Sequence, residues 1–339
     1  MRSPKLEPEL SIVVPVYRSE DCLRPLVSAI TQAMDRASKT YEIILVNDDS
    51  PDGSWRAICE LSQSHPGVIG VDLRRNFGQD CAILTGLDLA RGEYIAIMDD
   101  DLQHDPDDLP RLVAALEQTE ADVVYANFTS KQQALWKNLG SQFNDRFAQW
   151  VIRKPRGIYL SPYKILRRDV AKMICAYEGR QPYVDGLLFQ VTSRIAQIPA
   201  KHYARVAGRS TYTFTKSVQV WSHLAFSFST APLRLVTVLG LFFACGGVIL
   251  AIAVAAYRLF DPQDFTIYAA GWASLMVAVL LIGGVQMFFF GVLGEYVGRT
   301  YLTASRIPRT SIASITGTAA DDLDLPRGRR DSVRTGERR

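Results

Sequence analysis

Cysteine is scarce in this 339-residue chain, and its few occurrences are far apart. The five cysteines are Cys22, Cys59, Cys81, Cys175 and Cys245, and no two of them form a CxxC pair or share a zinc-binding spacing with histidine. Such scattered thiols are typical of a protein in a reducing compartment. The pattern excludes a disulfide-rich scaffold and a zinc-ribbon type of site.

The chain also lacks an excess of either charge. It has 38 lysines and arginines and 35 aspartates and glutamates, which gives a net charge of +3. The sequence contains no dense run of basic residues. A nucleic-acid-binding surface would need such a run, so we expect no nucleic-acid partner. The N-terminal segment MRSPKLEPELSIVVPVY has only a short apolar run, which contains Pro15. It predicts a first strand and not a signal peptide.

Charged residues are nearly absent from two long stretches near the carboxyl end. Residues 233–257 contain only Arg234, and residues 268–294 contain no charged residue. Each stretch exceeds the roughly 20 residues that a helix needs to cross a bilayer. The short connector predicts a hairpin of two transmembrane helices within residues 233–302. The basic residues outside both spans place both ends of the hairpin in the cytoplasm.

Two further segments flank the predicted hairpin. Residues 213–232 carry an apolar stripe that includes Trp221, which fits a helix in the membrane interface or a helix packed on a soluble core. The adjoining span favours the membrane interface. Residues 303–339 are polar and of mixed charge, which predicts a disordered cytosolic tail whose arginines contact anionic lipid.

Residues 10–126 alternate short β-rich runs with helix-like stretches. Runs such as LSIVVPV, YEIILVN and EYIAIMD are almost continuously apolar, and segments with helical periodicity lie between them. This alternation predicts an α/β domain with a mostly parallel sheet that is flanked by helices. Sheets of this class bind ligands at the carboxyl ends of their strands. We therefore expect the functional site in the turns that follow the strands.

An acidic run, MDDDLQHDP, begins at Met98 directly after one of these strands. Asp105 and Asp108 are explained as residues that start the next helix. Residues two apart on an extended segment point the same way, so the carboxylates of Asp99 and Asp101 can converge on one Mg²⁺ or Mn²⁺ ion, with Gln103 as a further oxygen ligand. A calcium loop of the EF-hand type is excluded, because the run lacks the required glycine and the required final glutamate.

Several motifs together give the chain a resemblance to a known family. They are SIVVPVYRSEDCL, YEIILVNDDSPDGS, RRNFGQDCAILTGLDLARGEYIAIMDDDLQHDP, GRSTY and a two-span carboxyl end that closes in LGEYVGRTY. From about residue 10 to residue 302 the series resembles family-2 glycosyltransferases. Within them it is similar to the branch that glycosylates polyprenyl phosphates, which includes dolichol-phosphate mannose synthase and bacterial undecaprenyl-phosphate sugar transferases. The resemblance implies a catalytic domain of the GT-A fold over residues 1–212 and inverting transfer from a nucleotide-diphosphate sugar.

The resemblance also implies roles for residues on the donor side. Asp99 and Asp101 match the pair that holds the metal and the diphosphate, Gln103 matches a further metal ligand, and Asp48 matches the aspartate that contacts the base or the ribose. Nucleotide-binding positions are matched by Pro15, Tyr17 and Ser19, and Asp100 stands at the usually small middle position of the acidic run. Arg75 is either a contact to the nucleotide phosphates or a solvated surface residue.

On the acceptor side the sequence departs from the family pattern. The residues available for a lipid phosphate are Lys131, Lys137, Arg205 and Arg209, and Thr211 replaces the lysine of the usual GxSK motif. Lysine binds a phosphate as a point charge and lacks the two-pronged geometry of arginine. Relatives carry an aspartate in a DxGxFRL-like stretch, which reads GIYLSPYKILRR here. Asp185 is the nearby acid that would replace it.

The sequence thus predicts a metal-dependent glycosyltransferase anchored at the cytosolic face of a membrane. A bacterial inner membrane and a homo-oligomer are further expectations. The acceptor would be a polyprenyl phosphate, which is largely ionised at neutral pH and needs little help from a general base. Two alternatives stay open: transfer to a hydroxyl of a lipid-linked saccharide, with Asp185 as the base, and an inactive membrane scaffold that binds nucleotide sugar. A processive polysaccharide synthase is disfavoured, because the sequence has no QxxRW motif.

Overall fold

The structure is a computed structural model, and it describes residues 7–128, 154–155, 157–179, 182–201, 203, 231–260, 271–305 and 308–317. The chain divides into two compact units. The first comprises Met1–Tyr212 together with Arg306–Arg339, and the second is Thr213–Ser305. The second unit is therefore an insertion within the sequence of the first.

The first unit begins with a regular alternation of strands and helices. Its elements are β1 (Leu10–Val16), α1 (Glu20–Ala37), β2 (Tyr41–Asn47), α2 (Ser54–Ser64), β3 (Val68–Leu73), α3 (Gln79–Leu89) and β4 (Tyr94–Ile97). Every residue of β1, β3 and β4 is buried. Because helices cover these strands, their residues are mostly apolar on both faces, with Ser11 and Asp72 as buried polar exceptions.

The chain continues with shorter elements. They are a 3-10 turn (Pro106–Asp108), α4 (Leu109–Gln118), β5 (Val123–Asn127), β6 (Lys164–Arg167), α5 (Arg168–Cys175), α6 (Val184–Val191), β7 (Ile195–Pro199) and β8 (Ile312–Thr316). In the described part of the chain, the strands form a sheet in the order β7-β5-β6-β4-β1-β2-β3-β8. The pairs that involve β6 or β8 are antiparallel, and the others are parallel. The predicted α/β domain with a mostly parallel sheet is confirmed.

The order of the sheet brings three strand ends together. Strand β1 lies between β4 and β2 and runs parallel to both, so the carboxyl ends of these strands lie side by side. Helix α3 packs tightly over them, because a Cβ atom added at Gly86 would lie 2.4 Å from Cγ1 of Val13 on β1. This close approach places the first residues of α3 beside the ends of β1 and β4.

Strand β8 corrects the prediction of a disordered tail over residues 303–339. Its residues pair antiparallel with β3, and the side chains of Ile312 and Ile315 are 5% and 4% exposed. Just before the strand, the hydroxyl of Thr85 on α3 donates to the hydroxyl of Thr310 at 3.1 Å. The prediction is wrong for this segment because it is based on the composition of the whole tail, most of which is polar. The short β-forming run SIASIT contributes little to that average.

The second unit contains two long helices that contact each other, α7 (Ala231–Phe260) and α8 (Gly271–Ala304). Judged on its described residues, the chain has no helix that is long and apolar enough to cross a membrane. The predicted pair of spans stays a prediction. The predicted interfacial helix over residues 213–232 lies outside the described residues, apart from the two that begin α7.

If β8 belongs to the folded sheet, truncating its buried side chains will destabilise the first unit. We expect Ile315→Ala to lower the free energy of unfolding by about 2–4 kcal/mol, because it removes buried methyl groups and leaves a cavity. Ile315→Val is the matched control and should cost only about 1 kcal/mol. Urea unfolding of the full chain measures both. Equal stability of Ile315→Ala and the unchanged protein would contradict the placement of β8.

Candidate functional site

A polar cleft lies where the carboxyl ends of β1, β2 and β4 meet. Its volume is about 430 Å³, within the range of roughly 300–1,000 Å³ that small-molecule sites occupy. The residues that line it are Pro15, Val16, Tyr17, Asp48, Asn76, Gly78, Gln79, Asp99, Asp100 and Asp101. The cleft therefore gathers side chains from the turns that follow four neighbouring strands of the sheet. It contains the predicted donor-side residues Pro15, Tyr17, Asp48 and the acidic run.

The turns after β1, β2 and β4 each contain a residue with a left-handed backbone. Arg18, Asp49 and Leu102 have φ angles of 59°, 52° and 61°. A non-glycine residue in this region costs roughly 1–3 kcal/mol, and the surrounding structure must hold it there. Strained turns at three adjacent strand ends are typical of a functional site.

Asp48, at the end of β2, binds the main chain of another turn. Its carboxylate accepts hydrogen bonds from the amides of Phe77 at 2.7 Å and Gly78 at 2.8 Å, and Asn76 donates from its side chain to the Asp48 carbonyl at 3.2 Å. Burial raises the pKa of Asp48, although the two amides oppose that shift. Asp48 thus shapes the turn between β3 and α3. The base or ribose contact implied by the resemblance stays a prediction.

The carboxylates of the acidic run accept hydrogen bonds from three different places. Gln79, at the start of α3, donates to Asp99 at 2.8 Å. The main-chain amide of Tyr17 donates to Asp100 at 3.2 Å, and that of Gln103 donates to Asp101 at 3.2 Å. Burial raises the pKa of Asp100, and the charge of Asp101 raises it further. Asp100, whose presence in the middle position the sequence does not explain, therefore joins the turn after β4 to the turn after β1.

The donor set suits a hard divalent cation. Asp99 and Asp101 face the same cleft, and Mg²⁺ or Mn²⁺ is commonly held by one or two carboxylates together with substrate phosphates. Among the described residues, no group of three histidine, cysteine, aspartate or glutamate side chains is arranged to hold a metal ion. Two carboxylates leave coordination positions for diphosphate oxygens, and the predicted ligand Gln103 is not among the residues that line the cleft.

Two other predicted donor-side residues, Ser19 and Arg75, do not line the cleft, whereas Tyr17 does. The ring of Tyr17 is 44% exposed, and the Ser19 hydroxyl donates to the Tyr17 carbonyl at 3.3 Å. The guanidinium of Arg75 lies 4.6 Å from the ring centre of Phe77 and is not among the lining residues. Arg75 thus contacts an aromatic ring in the turn after β3, and its contact to nucleotide phosphates stays a prediction.

Asp105 caps the next helical turn as the sequence predicts, whereas the side chain of Asp108 makes no capping hydrogen bond. Asp105 precedes the 3-10 turn, and its carboxylate accepts from the amide of Asp107 at 3.1 Å. Asp108 forms an ion pair with Arg111 and accepts from the amide of Lys201 at 3.1 Å. Neither residue lines the cleft.

A group of interacting side chains lies outside the cleft, on β5, β6 and α6. Lys164 on β6 forms an ion pair with Asp185 on α6, and the hydroxyl of Tyr125 on β5 donates to the same carboxylate oxygen at 2.8 Å. Lys164 pairs in register with Ile97, the last residue of β4. Asp185 does not line the cleft.

Asp80 belongs to this group. Its carboxylate accepts from the amide of Val184 at 2.9 Å. Burial raises the pKa of Asp80 to about 6, and the negative charge of Asp185 adds to the shift. A carboxyl group of this kind changes charge near neutral pH, which an exposed aspartate does not.

The predicted acceptor residues fall outside the described part of the chain. This holds for Lys131, Lys137, Arg205 and Arg209. Their roles stay predictions.

The sequence does not predict four of the lining residues, namely Val16, Asn76, Gly78 and Gln79. Asn76, Gly78 and Gln79 follow β3, and Gly78 has a φ of 93°, which a side chain would strain. Their position in the segment RRNFGQD, directly after an apolar strand, is the signal that could have identified them. That signal is weak, because none of these three residues carries a charge.

Part of the chain matches a known protein family. Residues 11–174 match the family model described as glycosyl transferase family 2. This segment contains the cleft, the acidic run and strands β1 to β6.

Several solved structures are similar in fold. Two structures of TarS residues 1–349 from S. aureus are each 19% identical to this chain. The first alignment covers 58% of this chain and 60% of that chain, with a TM-score of 0.42. The second structure, in complex with UDP-GlcNAc, is aligned over 65% of this chain and 67% of that chain, with a TM-score of 0.44. Glucosyl-3-phosphoglycerate synthase from Mycobacterium tuberculosis, with Mn²⁺, UDP-glucose and phosphoglyceric acid, is 16% identical over 66% of this chain and 79% of that chain, with a TM-score of 0.47. The mannosyltransferase PcManGT from Pyrobaculum calidifontis, with GDP-Man and Mn²⁺, is 16% identical over 87% and 88%, with a TM-score of 0.45. All four TM-scores are below 0.5, so neither a residue role nor a function is taken from these matches.

The contacts of Asp48 predict a specific loss of stability. The Asp48 carboxylate accepts hydrogen bonds from two main-chain amides, and Asp48→Asn places an NH₂ donor opposite one of them. We therefore expect the free energy of unfolding to fall by about 1.5–3 kcal/mol. Asp49→Asn is the matched control. Asp49 is the exposed next residue, and asparagine tolerates its left-handed backbone. Urea unfolding measures both variants, and equal losses would contradict the role assigned to Asp48.

The raised pKa of Asp80 predicts a dependence of stability on pH. The folded pKa of about 6 exceeds the ordinary value of 3.8, so the stabilising contribution is complete below about pH 4 and is lost as the pH rises through about 6. Asp80→Asn keeps an acceptor for the Val184 amide without the charge. Relative to this variant, the unchanged protein should lose about 1–3 kcal/mol of unfolding free energy between about pH 4 and 7.

Urea unfolding at a series of pH values measures the difference between the two proteins. Asp21→Asn, at an exposed acid of α1, is the control and should run parallel to the unchanged protein. Parallel profiles for Asp80→Asn as well would show that Asp80 is not a buried, charge-changing group.

Proposed function

We propose that this protein transfers a sugar from a nucleotide-diphosphate donor to a polyprenyl phosphate, and the match of residues 11–174 to glycosyl transferase family 2 supports the sugar transfer. The observation that carries the donor half is the cleft at the ends of β1, β2 and β4, with Asp99 and Asp101 on one wall. The reaction would depend on Mg²⁺ or Mn²⁺ and would take place at the cytosolic face of a membrane.

The charges of the cleft support a diphosphate ligand together with a cation. Asp99 and Asp101 would repel a diphosphate on their own, so they need a divalent ion between them and the ligand. When bound, such an ion neutralises the negative charge that develops on the leaving nucleotide diphosphate. Gln79 and the amide of Gln103 orient the two carboxylates for this purpose.

Other residues of the cleft suit the nucleoside. Tyr17 is a partly exposed aromatic residue that lines the cleft, and Asn76 and Gly78 line it as well. An aromatic face binds a base by stacking, whichever base it is. The two hydrogen bonds to Asp48 hold the Phe77–Gly78 turn in place and so fix this part of the cleft.

The contacts of Asp185 favour a phosphate acceptor over a hydroxyl acceptor. A hydroxyl needs a base with an available oxygen near the reacting proton. One oxygen of Asp185 already accepts from Lys164 and from Tyr125, and the side chain is only 14% exposed. A phosphate monoester, with its second pKa near about 6, attacks as an anion and does not need that base.

Apolar side chains on α7 and α8 support attachment to a membrane. Leu241 and Phe242 on α7 are 65% and 71% exposed, and Met287 and Phe290 on α8 are 72% and 67% exposed. Contiguous exposed apolar surface of this kind is rare on proteins surrounded by water and marks a contact surface. We therefore propose that these helices contact lipid, with a bacterial inner membrane as the location.

The proposed reaction is tested with full-length protein, Mn²⁺, undecaprenyl phosphate and a panel of UDP-, GDP- and dTDP-sugars. We expect a lipid product that mass spectrometry identifies as a sugar phosphate and that mild acid cleaves. Transfer only to a lipid-linked saccharide would favour the hydroxyl acceptor. Metal-dependent nucleotide binding without transfer or donor hydrolysis would favour the inactive scaffold.

In the same assay, Asp101→Asn should lower kcat by about 100-fold or more, because one charged ligand of the ion is lost. Its melting temperature should stay close to that of the unchanged protein, since Asp101 is only partly buried. Asp107→Asn, at an exposed acid of the following turn that does not line the cleft, is the matched control. Full activity of folded Asp101→Asn would exclude the metal role of Asp101.

A further inference from the structure

One buried histidine contacts the main chain of the acidic run. His104 is 4% exposed, and its Nδ1 atom accepts a hydrogen bond from the amide of Asp99 at 3.3 Å. An imidazole nitrogen that accepts from an amide carries no proton. The side chain thus closes the loop from Asp99 to His104 by a contact between its first and last residues.

Two aromatic rings fix the plane of this imidazole. Phe128 stacks on one side at a centroid distance of 5.5 Å with an interplanar angle of 11°, and Tyr163 stacks at 5.0 Å with an angle of 9°. Tyr163 is fully buried, and its hydroxyl donates to the carbonyl of Asp105 at 3.1 Å. Phe128 directly follows β5 and Tyr163 directly precedes β6, so the ring is held by neighbouring parts of the sheet.

The loop that His104 closes needs such support. Leu102 in its middle has a left-handed backbone, and three consecutive carboxylates precede it. The amide of Tyr203 also donates to the carbonyl of Gln103 at 3.0 Å. A strained loop persists when surrounding contacts over-determine it, and here they include a hydrogen bond to the main chain of Asp99 itself.

We propose that His104 is a positioning residue for the metal–diphosphate site. By accepting from the Asp99 amide, it sets the direction in which the carboxylates of Asp99 and Asp101 enter the cleft. The role is distinct from that of a metal ligand, because the ring is buried between two aromatic residues and its Nδ1 atom is bound to the main chain. The inference rests on the proposed function, since the ligand that profits from this geometry is the donor diphosphate with its cation.

The test separates the hydrogen bond from the stacking. His104→Phe keeps an aromatic ring between Phe128 and Tyr163 but cannot accept from Asp99. His104→Asn keeps an acceptor at a comparable place in the side chain but loses the ring. For the nucleoside diphosphate that the unchanged protein binds, chosen among UDP, GDP and dTDP, calorimetry gives the Mn²⁺ concentration for half-maximal binding, and thermal unfolding gives stability.

We expect a crossed result. His104→Phe should raise the half-maximal Mn²⁺ concentration by about three- to ten-fold, the effect of one hydrogen bond, with only a small change in melting temperature. His104→Asn should lower the melting temperature more, while its Mn²⁺ requirement stays within about two-fold, because the acceptor remains. His65→Phe, at a histidine outside the cleft, is the control for loss of an imidazole.

A structural role alone would give a different pattern. If the Mn²⁺ requirement of folded His104→Phe equals that of the unchanged protein, or if both variants weaken binding in proportion to lost stability, the positioning role is wrong. Should His104→Phe not fold, His104→Ala replaces it, and equal Mn²⁺ requirements for His104→Ala and His104→Asn overturn the proposal. Absence of metal-dependent nucleotide binding in the unchanged protein would instead overturn the proposed function, and this role with it.

Discussion

Mutual repulsion among three consecutive carboxylates is the constraint around which the cleft is built. Each of Asp99, Asp100 and Asp101 accepts a hydrogen bond from a different part of the chain: from the start of α3, from the turn after β1, and from the loop itself. Each contact ties one carboxylate to a neighbouring part of the chain, so the three side chains have less freedom to move apart than they would in a hydrated turn. The carboxylates that would bind a cation there already have restricted directions. Binding therefore requires little further loss of side-chain conformational freedom.

The fold and the place of the site could be predicted from the sequence because both depend on local patterns. Continuous apolar runs such as LSIVVPV read as buried parallel strands, and parallel strands put their carboxyl ends together. A local pattern also predicts the carboxylate site, because Asp99 and Asp101 are two residues apart directly after such a strand. None of this requires knowledge of which distant residues touch.

The partners of these residues could not be predicted, since they are far away in sequence. The amide that binds Asp100 belongs to a residue 83 positions earlier, and the amides that bind Asp48 are 29 and 30 positions later. Nothing in the residue types near Asp48 distinguishes a carboxylate that binds a ligand from one that shapes a turn. The same limit hid the role of His104, whose aromatic neighbours belong to strands that follow much later in the chain.

The placement of β8 has a consequence for how the protein forms. The sheet of the first unit is completed by a strand that the ribosome makes only after the whole of Thr213–Ser305, including α7 and α8. Until then β3 is an open edge, and open edges pair readily with other chains. Domains fold as their segments emerge, so the catalytic unit must wait with this edge unpaired while the apolar helices are being made. Once β8 pairs with β3, segments of the folded first unit precede and follow Thr213–Ser305 in the sequence. The two units are then joined by two covalent connections, one before Thr213 and one after Ser305.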